Sequence, residues 1–465
     1  MNLFTLHFTD NKPLYEQLYT YIKEEIENEN IVANEKLPSK RRISKHLNIS
    51  QNTVESAYNQ LLDEGYIYSK ERSGYFVEEI DWMKPIKTKS CIFDYEKKDI
   101  KKYKYDFTYS GIDVTNFPIK DYQKIYRKSL KQTDIFKNLG DPQGYFPLRK
   151  SITKYLLSSR GVDVSPDDIV ISAGTEYLFN ILFKILPKNT VYGIENPGYE
   201  RFDILYKYNN LKYKSINVQK DGIKVDDLNK KKINCMTITP SHQFPTGILY
   251  PMQKRQELLA WAYEEKNRWI IEDDYDSEFR YSGKPIPALK GFDVKDRVIY
   301  IGSFSKSFSP ALRISYMVLP KSLKRKYKDM ISSMICPVPT LTQDVFHKFM
   351  DEGLFSKHLN RMRTHYANKR EILLKELNKI ELPFNIDDTD AGLHLVMSFD
   401  KTITEDKLVK SALKEDCKVY GISNYYSEIP EEKNHTSLLI GYGSIPIEDI
   451  NPGVKNLKKA WDKLK

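Results

Sequence analysis

Between residues 107 and 465 one pattern recurs: a short apolar run, then turn and polar residues, then often residues at helical spacing. Asp168-Ile169-Val170-Ile171-Ser172 leads through Ala173-Gly174-Thr175 into a helical stretch from Tyr177 to Leu186. Val191-Tyr192-Gly193-Ile194 precedes Glu195-Asn196-Pro197-Gly198-Tyr199, and Cys235-Met236-Thr237-Ile238-Thr239 precedes Pro240 to Gly247. Trp269-Ile270-Ile271 precedes Glu272-Asp273-Asp274-Tyr275-Asp276, and Val298-Ile299-Tyr300-Ile301 precedes Gly302 and a serine-rich loop. Parallel strands need long crossovers, usually helices, so this alternation confines the chain to an α/β fold with a mostly parallel sheet. Ligands in such sheets bind at the carboxyl ends of the strands, where the polar clusters fall.

The serine-rich loop carries the sharpest chemistry. Ser303-Phe304-Ser305-Lys306-Ser307-Phe308-Ser309-Pro310-Ala311-Leu312-Arg313 sets a lysine among hydroxyls, with an arginine seven residues on. A lysine that must form an imine needs a lowered pKa. Hydroxyls and a guanidinium suit a phosphate. Together they point to pyridoxal 5′-phosphate (PLP), an aldehyde that carries a phosphate. The plainer alternative is a surface lysine in a serine-rich loop. Gly174 and Thr175 end a strand and open a helix, which offers free N–H groups to an anion. The carboxylates after Ile271 could ligate a metal or be solvated, but no histidine pair accompanies them, so no metal is expected. One carboxylate beside a pyridine nitrogen would keep it protonated. Tyr275 could bond the cofactor's phenolic oxygen, and Tyr199 could stack on its ring.

Residues 1 to 80 are of another kind. Leu14, Leu18, Tyr21, Ile22 and Ile26 recur at helical spacing. Ser39 caps a short helix that turns Ile43 and Leu47 inward, and Ser50 caps a third with Val54, Ala57, Tyr58, Leu61 and Leu62 on one face. Tyr66-Ile67-Tyr68 and Tyr75-Phe76-Val77 flank a polar turn, which reads as a hairpin. This order is that of a winged helix-turn-helix. Nine basic side chains face thirteen acidic ones here, yet no acid lies between Lys36 and Val54. Double-stranded DNA would therefore be held by local patches rather than by net charge. Gln51, Asn52 and Thr53 stand where a recognition helix meets base edges. Lys40, Arg41 and Arg42 suit phosphates, and Arg72 and Gly74 form the hairpin tip. The alternative is a small protein-interaction domain with a solvated basic face. The stretches Leu37-Pro38-Ser39-Lys40-Arg41-Arg42-Ile43-Ser44, Ile49-Ser50-Gln51-Asn52-Thr53-Val54 and Leu62-Asp63-Glu64-Gly65-Tyr66-Ile67 resemble the GntR family of bacterial regulators. Many members carry an arginine early in the recognition helix, where this chain is uncharged.

Residues 81–106, rich in lysine from Lys84 to Lys104, read as a charged linker. The net charge of +10 fits a polyanionic partner. No apolar run approaches membrane-spanning length, and the four scattered cysteines read as reduced, so a cytoplasmic protein is expected.

The large segment resembles a fold-type I aminotransferase, a PLP-dependent transferase. The motifs are Gly140-Asp141-Pro142-Gln143-Gly144 with Leu148-Arg149, Ala173-Gly174-Thr175, Pro245-Thr246-Gly247, Asp273-Asp274-Tyr275, and Ser303-Phe304-Ser305-Lys306 with Arg313. With the N-terminal segment included, nearly the whole chain is similar to the MocR/GabR family of PLP-dependent transcription regulators. The resemblance implies that Lys306 forms the internal aldimine with PLP and that Asp273 pairs with the pyridine nitrogen. It implies that Tyr199 stacks, that Tyr275 contacts the ring oxygen, and that Gly174, Thr175, Ser303, Ser305 and Arg313 hold the phosphate. Arg201 is a candidate for an effector's carboxylate. Regulators of γ-aminobutyrate (GABA) use have a late arginine for that carboxylate. Asn424 stands in the stretch that aligns with it and cannot make a charge-assisted clamp. Ser437 to Tyr442 also lacks the arginine that many aminotransferases use. The expectation is a homodimeric, DNA-binding regulator with PLP itself as signal, controlling PLP synthesis as related regulators do. An amine-responsive regulator of the GABA type, an aminotransferase with an added DNA-binding domain, and a vestigial PLP domain that only dimerises are the alternatives.

Overall fold

A computed structural model describes residues 6, 8–9, 12–79, 102–283, 285–331, 334–387, 390–430 and 435–464. The chain divides into two compact units, Met1–Asp99 and Ile100–Lys465. Most of the charged linker expected over 81–106 lies outside the described residues.

In the first unit, α1 (Leu14–Glu27) buries Leu18, Ile22 and Ile26, spaced four apart along one face. Leu14, expected on that face, is 41% exposed because it occupies the first, solvent-facing turn. α2 (Lys40–Leu47) starts at Ser39, whose Oγ accepts the Arg42 N–H, and ends at Asn48 in the left-handed region. α3 (Gln51–Asp63) starts at Ser50, whose Oγ accepts the Thr53 N–H at 3.1 Å. β1 (Ile67–Lys70) and β2 (Gly74–Val77) pair antiparallel, with Ile67 opposite Val77 and Lys70 opposite Gly74. Ile43, Val54, Tyr58, Leu61, Ile67 and Val77 close one core with the α1 residues. Each such side chain contributes about 1.5–3 kcal/mol by leaving water. The Tyr58 hydroxyl meets its own polar need by donating to the Pro38 carbonyl at 2.8 Å.

The second unit begins in β3 (Tyr105–Asp106), which pairs in parallel with Cys417–Lys418. These two residues, expected at the end of the linker, thus belong to the large unit's framework. Helices α4 (Ile119–Leu130) and α5 (Phe146–Arg160) precede β4 (Ile169–Ser172), α6 (Thr175–Ile185), β5 (Tyr192–Asn196) and α7 (Glu200–Tyr208). β6 (Tyr213–Gln219), β7 (Gly222–Ile223), β8 (Cys235–Ile238), β9 (Trp269–Asp274), β10 (Val298–Ser303) and β11 (Ser315–Val318) complete one eight-stranded sheet. Its order is β4-β11-β10-β9-β8-β5-β6-β7. The strands β10, β9, β8, β5 and β6 run parallel, while β11 is antiparallel to both neighbours. Successive side chains feed opposite cores: Ile169 and Ile171 pack on one face, and Val170 on the other. Burial on both faces is why these strands read as continuous apolar runs.

The carboxylates expected at this strand's end, Glu272, Asp273 and Asp274, are the last three residues of β9, and all are buried. Glu272 and Asp274 are buried rather than solvated because partners elsewhere in the fold bond them.

A smaller sheet holds β12 (Phe384–Asp387), β13 (His394–Asp400), Tyr420–Gly421 and His435–Gly441, in the order given by β12, β13, His435–Gly441 and Tyr420–Gly421. Its core includes Leu395, Met397, Leu438, Ile440 and Trp461. No helix among the described residues is long and apolar enough to cross a membrane.

Candidate cofactor cavity and DNA-reading helix

The alternation of side chains along β9 sorts its three acids. Glu272 and Asp274 point one way, where each is fully occupied. Glu272 accepts the Leu289 and Lys290 N–H groups, both at 2.8 Å. Asp274 accepts from Arg160 Nε at 2.7 Å and from the Tyr300 hydroxyl at 2.6 Å. Asp273 points the other way, into a cavity of about 230 Å³. Its Oδ1 is buried with no hydrogen-bond partner. Burial first, and then the charges of Asp274, Glu195 and Asp276, push its pKa up to about 7. A buried carboxylate oxygen without a donor is costly and is relieved by an N–H placed against it.

Across this cavity lies Lys306. Its Nζ donates to the carbonyl oxygens of Tyr109 and Gly111 and stands 4.2 Å over the Tyr109 ring centroid. Burial lowers its pKa to about 8, opposed only by Asp276. The amine is therefore far closer to its nucleophilic, neutral form at physiological pH than a free lysine.

One wall of the cavity is a cradle of donors. Gly174 ends the β4 turn at φ +111°, and Thr175 opens α6. A Cβ at Gly174 would overlap the Arg313 guanidinium, which donates to the Ala173 carbonyl at 3.3 Å. Ser303 Oγ lies 2.9 Å from Ser305 Oγ and 3.0 Å from Ser315 Oγ. Hydroxyls, a guanidinium and the first N–H groups of an eleven-residue helix converge, which suits a dianionic phosphate. Gly174→Ala, strained in backbone and pressed against Arg313, is expected to weaken PLP binding at least about tenfold, or 1.4 kcal/mol. Titration of the cofactor's absorbance would reveal it, and an unchanged affinity would count against the cradle.

Tyr199, at the start of α7, and Tyr275 also line the cavity. Tyr199 meets Phe244 edge to face at 5.8 Å. Arg201 lies at the rim, where its Nη1 is 2.9 Å from Glu176. So Lys306, Asp273, Tyr275, Arg313, Tyr199, Gly174, Thr175, Ser303, Ser305 and Arg201 all line one space. Asn424 does not. It is exposed in a separate pocket with Glu200, Asp203, Tyr425 and Tyr426, on the far side of Tyr199. Sequence reasoning missed Tyr109, Thr239 and Ser315, which line the same cavity. Ser315 follows Arg313 by two positions and could have been found from the loop. Tyr109 has no local signal, since nearly two hundred residues separate it from Lys306.

In the first unit, Gln51 and Asn52 are exposed at the start of α3, and Thr53 is half-buried. Arg41 and Arg42 are exposed on α2, while Lys40 is engaged with Glu55 at 2.6 Å. Arg72 and Gly74 take positive φ at the hairpin tip, of 55° and 105°.

Two family models match the chain: "Bacterial regulatory proteins, gntR family" over residues 14–77 and "Aminotransferase class I and II" over residues 113–438. The chain is 38% identical to the uncharacterized HTH-type transcriptional regulator YhdI of Bacillus subtilis, over 98% of each chain. It is 28% identical to the probable rhizopine catabolism regulatory protein MocR of Rhizobium meliloti, over 97% of this chain and 94% of that one. It is 27% identical to the HTH-type pyridoxine biosynthesis transcriptional regulator PdxR of Corynebacterium glutamicum, over 88% and 87%. Among solved structures, a kynurenine aminotransferase of Pyrococcus horikoshii aligns with a TM-score of 0.69 at 24% identity, over 79% of this chain and 92% of that one. That likeness concerns the fold of the large unit. The orphaned Asp273 oxygen, the lysine of lowered pKa and the phosphate cradle fit PLP, the cofactor of such a domain. The chain therefore belongs to the MocR/GabR family of transcription regulators, in which a GntR-type winged helix that binds DNA is joined to an aminotransferase-like domain for pyridoxal 5′-phosphate.

Proposed function

We propose that this regulator binds its operator as a homodimer and that PLP itself is the signal. The observation that carries this reading is the state of the carboxylate-binding candidates. Arg201 already pairs with Glu176 at 2.9 Å, and Asn424 lines another pocket. An amino-acid effector's carboxylate would compete with Glu176 for Arg201 and would find no cation at Asn424, whereas the residues suited to PLP line one cavity. When bound, PLP supplies an aldehyde that condenses with a primary amine and releases water. Lys306 would present that amine, Asp273 would accept the pyridine N–H, and Tyr275 would donate to the ring oxygen. Tyr199 would cover the ring, and Gly174, Thr175, Ser303, Ser305 and Arg313 would hold the phosphate.

In the DNA-binding unit, Gln51, Asn52, Thr53 and Ser50 read or approach base edges from the start of α3. Ser39, Lys40, Arg41, Arg42, Arg72 and Gly74 follow the backbone. A dimer axis calls for paired half-sites. PLP can shift DNA affinity only by binding one arrangement of the dimer better than another. The genes of PLP synthesis are the targets this signal implies, and the similarity to PdxR supports that choice.

A gel shift on the DNA upstream of this protein's gene and its neighbours tests the reading, with cofactor-free protein, with PLP, and with PLP plus candidate amines. PLP alone is expected to change the apparent affinity. Equal affinity in the first two arms, with a change only on adding an amine, would establish the amine-responsive alternative instead. Sustained turnover of amino and keto acids without DNA retardation would establish an aminotransferase.

A further inference from the structure

Beside the cofactor cavity lies a buried polar cluster of His242, Asp276 and His394. His242 is 3% exposed and Asp276 is 2% exposed. His242 Nδ1 stands 2.9 and 3.1 Å from the two oxygens of Asp276, and 3.0 Å from the Tyr275 hydroxyl. Gly392 makes the arrangement fit: a Cβ there would overlap the His242 ring. His394 packs against that ring at 5.0 Å between centroids and donates from Nε2 to the Pro245 carbonyl at 3.1 Å.

We propose that Asp276 and His242 are positioning residues that hold Tyr275 as a hydrogen-bond donor into the cofactor cavity, a role that rests on the PLP reading of that cavity. A carboxylate only accepts, so Asp276 holds the proton of His242 on Nδ1. Nδ1 then has no lone pair to offer, and the Tyr275 oxygen can only accept from it. The Tyr275 proton is left to point into the cavity, where the cofactor's ring oxygen would take it. Without Asp276, His242 is free to adopt the other tautomer. Its bare Nδ1 would then draw the Tyr275 proton away from the cavity.

His242, Asp276 and His394 offer atoms that lie within 4.8 Å of one another, close enough to surround a metal ion. The geometry favours the proton relay, because Nδ1 is already held between a carboxylate and a hydroxyl at hydrogen-bond distances. A metal on Nδ1 would displace both.

The test compares wild type, Asp276→Asn, Tyr275→Phe and the double variant. Each is loaded with PLP and titrated while its visible band is followed. A donor to the ring oxygen stabilises that oxygen's negative charge, so its loss raises the pH midpoint. Asp273, Glu195 and Tyr109 also face Tyr275, and Lys306 faces Asp276; these four are the same in wild type and in every variant. Asp276→Asn is expected to raise the midpoint by about one pH unit, in the direction of Tyr275→Phe. The double variant should match Tyr275→Phe alone, since both changes remove one interaction. A midpoint that Asp276→Asn leaves in place, or shifts additively with Tyr275→Phe, overturns the proposal. So does a stoichiometric metal ion whose removal by EDTA moves the wild-type midpoint. If wild type shows no band, the PLP reading fails. The relay is then judged from the ¹⁵N spectrum of histidine in the cofactor-free protein, where a protonated Nδ1 in wild type and a bare one in Asp276→Asn support it, and the same tautomer in both overturns it.

Discussion

Lys306→Ala is expected to abolish the attachment of PLP that borohydride can fix, and with it any effect of PLP on DNA binding. The operator affinity of the cofactor-free variant should remain that of wild type, because Lys306 lies in the large unit and reads no base. The pH dependence of attachment in wild type follows from the same residue. Only the neutral amine attacks an aldehyde. Burial brings Lys306 down to about 8. At pH 7 this makes the neutral form roughly 200-fold more abundant than for a free lysine near 10.4. The sign is that the rate rises with pH and levels off above about 8. Absorbance kinetics between pH 6 and 9 would show it. A rate still climbing tenfold per unit at pH 9 would mean that Lys306 is not held as described.

Arg160→Ala is expected to cause the largest loss of stability. Arg160 and Asp274 side chains are each 3% exposed, and they meet at 2.7 Å. Arg160 also donates to the Ile286 carbonyl and to Ser241 Oγ. Its removal leaves a buried carboxylate with the Tyr300 hydroxyl as its remaining donor. Losing one partner of a buried pair costs about 3–5 kcal/mol. Thermal unfolding should show a lower midpoint for the large unit, with the winged-helix transition unmoved. Arg160→Lys keeps the charge but not the planar fork, so it should recover only part of the loss. A fall under about 1 kcal/mol would show instead that water reaches Asp274, as at an exposed pair.

Much of the cofactor cavity was legible before the fold. Lys306, Arg313, Asp273 and Gly174 lie in short motifs at strand ends, and a strand end in a parallel sheet has one destination, the ligand edge. The winged helix was legible for a similar reason: Ser39 and Ser50 mark two helix starts, and the apolar spacing of Leu18, Ile22 and Ile26 fixes the face that packs. Less legible was the fate of the acidic run after Ile271. Solvation was one reading of it, yet Arg160 and Tyr300 satisfy Asp274, and the N–H groups of Leu289 and Lys290 satisfy Glu272, inside β9.

The sequence by itself determined most element types and singled out Gly174, Asp273, Ser303, Ser305, Lys306 and Arg313, which line one cavity, because these follow from local periodicity and short spacings. Only the tertiary structure decided which acid is free. Glu272, Asp273 and Asp274 are chemically near-equivalent along the chain, and partners more than ten residues away leave Asp273 alone with an open oxygen. It also decided that Arg201 pairs with Glu176, that Asn424 lines a different pocket, and that Tyr109 meets Lys306. Each of these depends on contacts across long sequence separations, which hydrophobic spacing does not encode. Pairing through space sets the charge a site presents, and so sets which ligand it accepts.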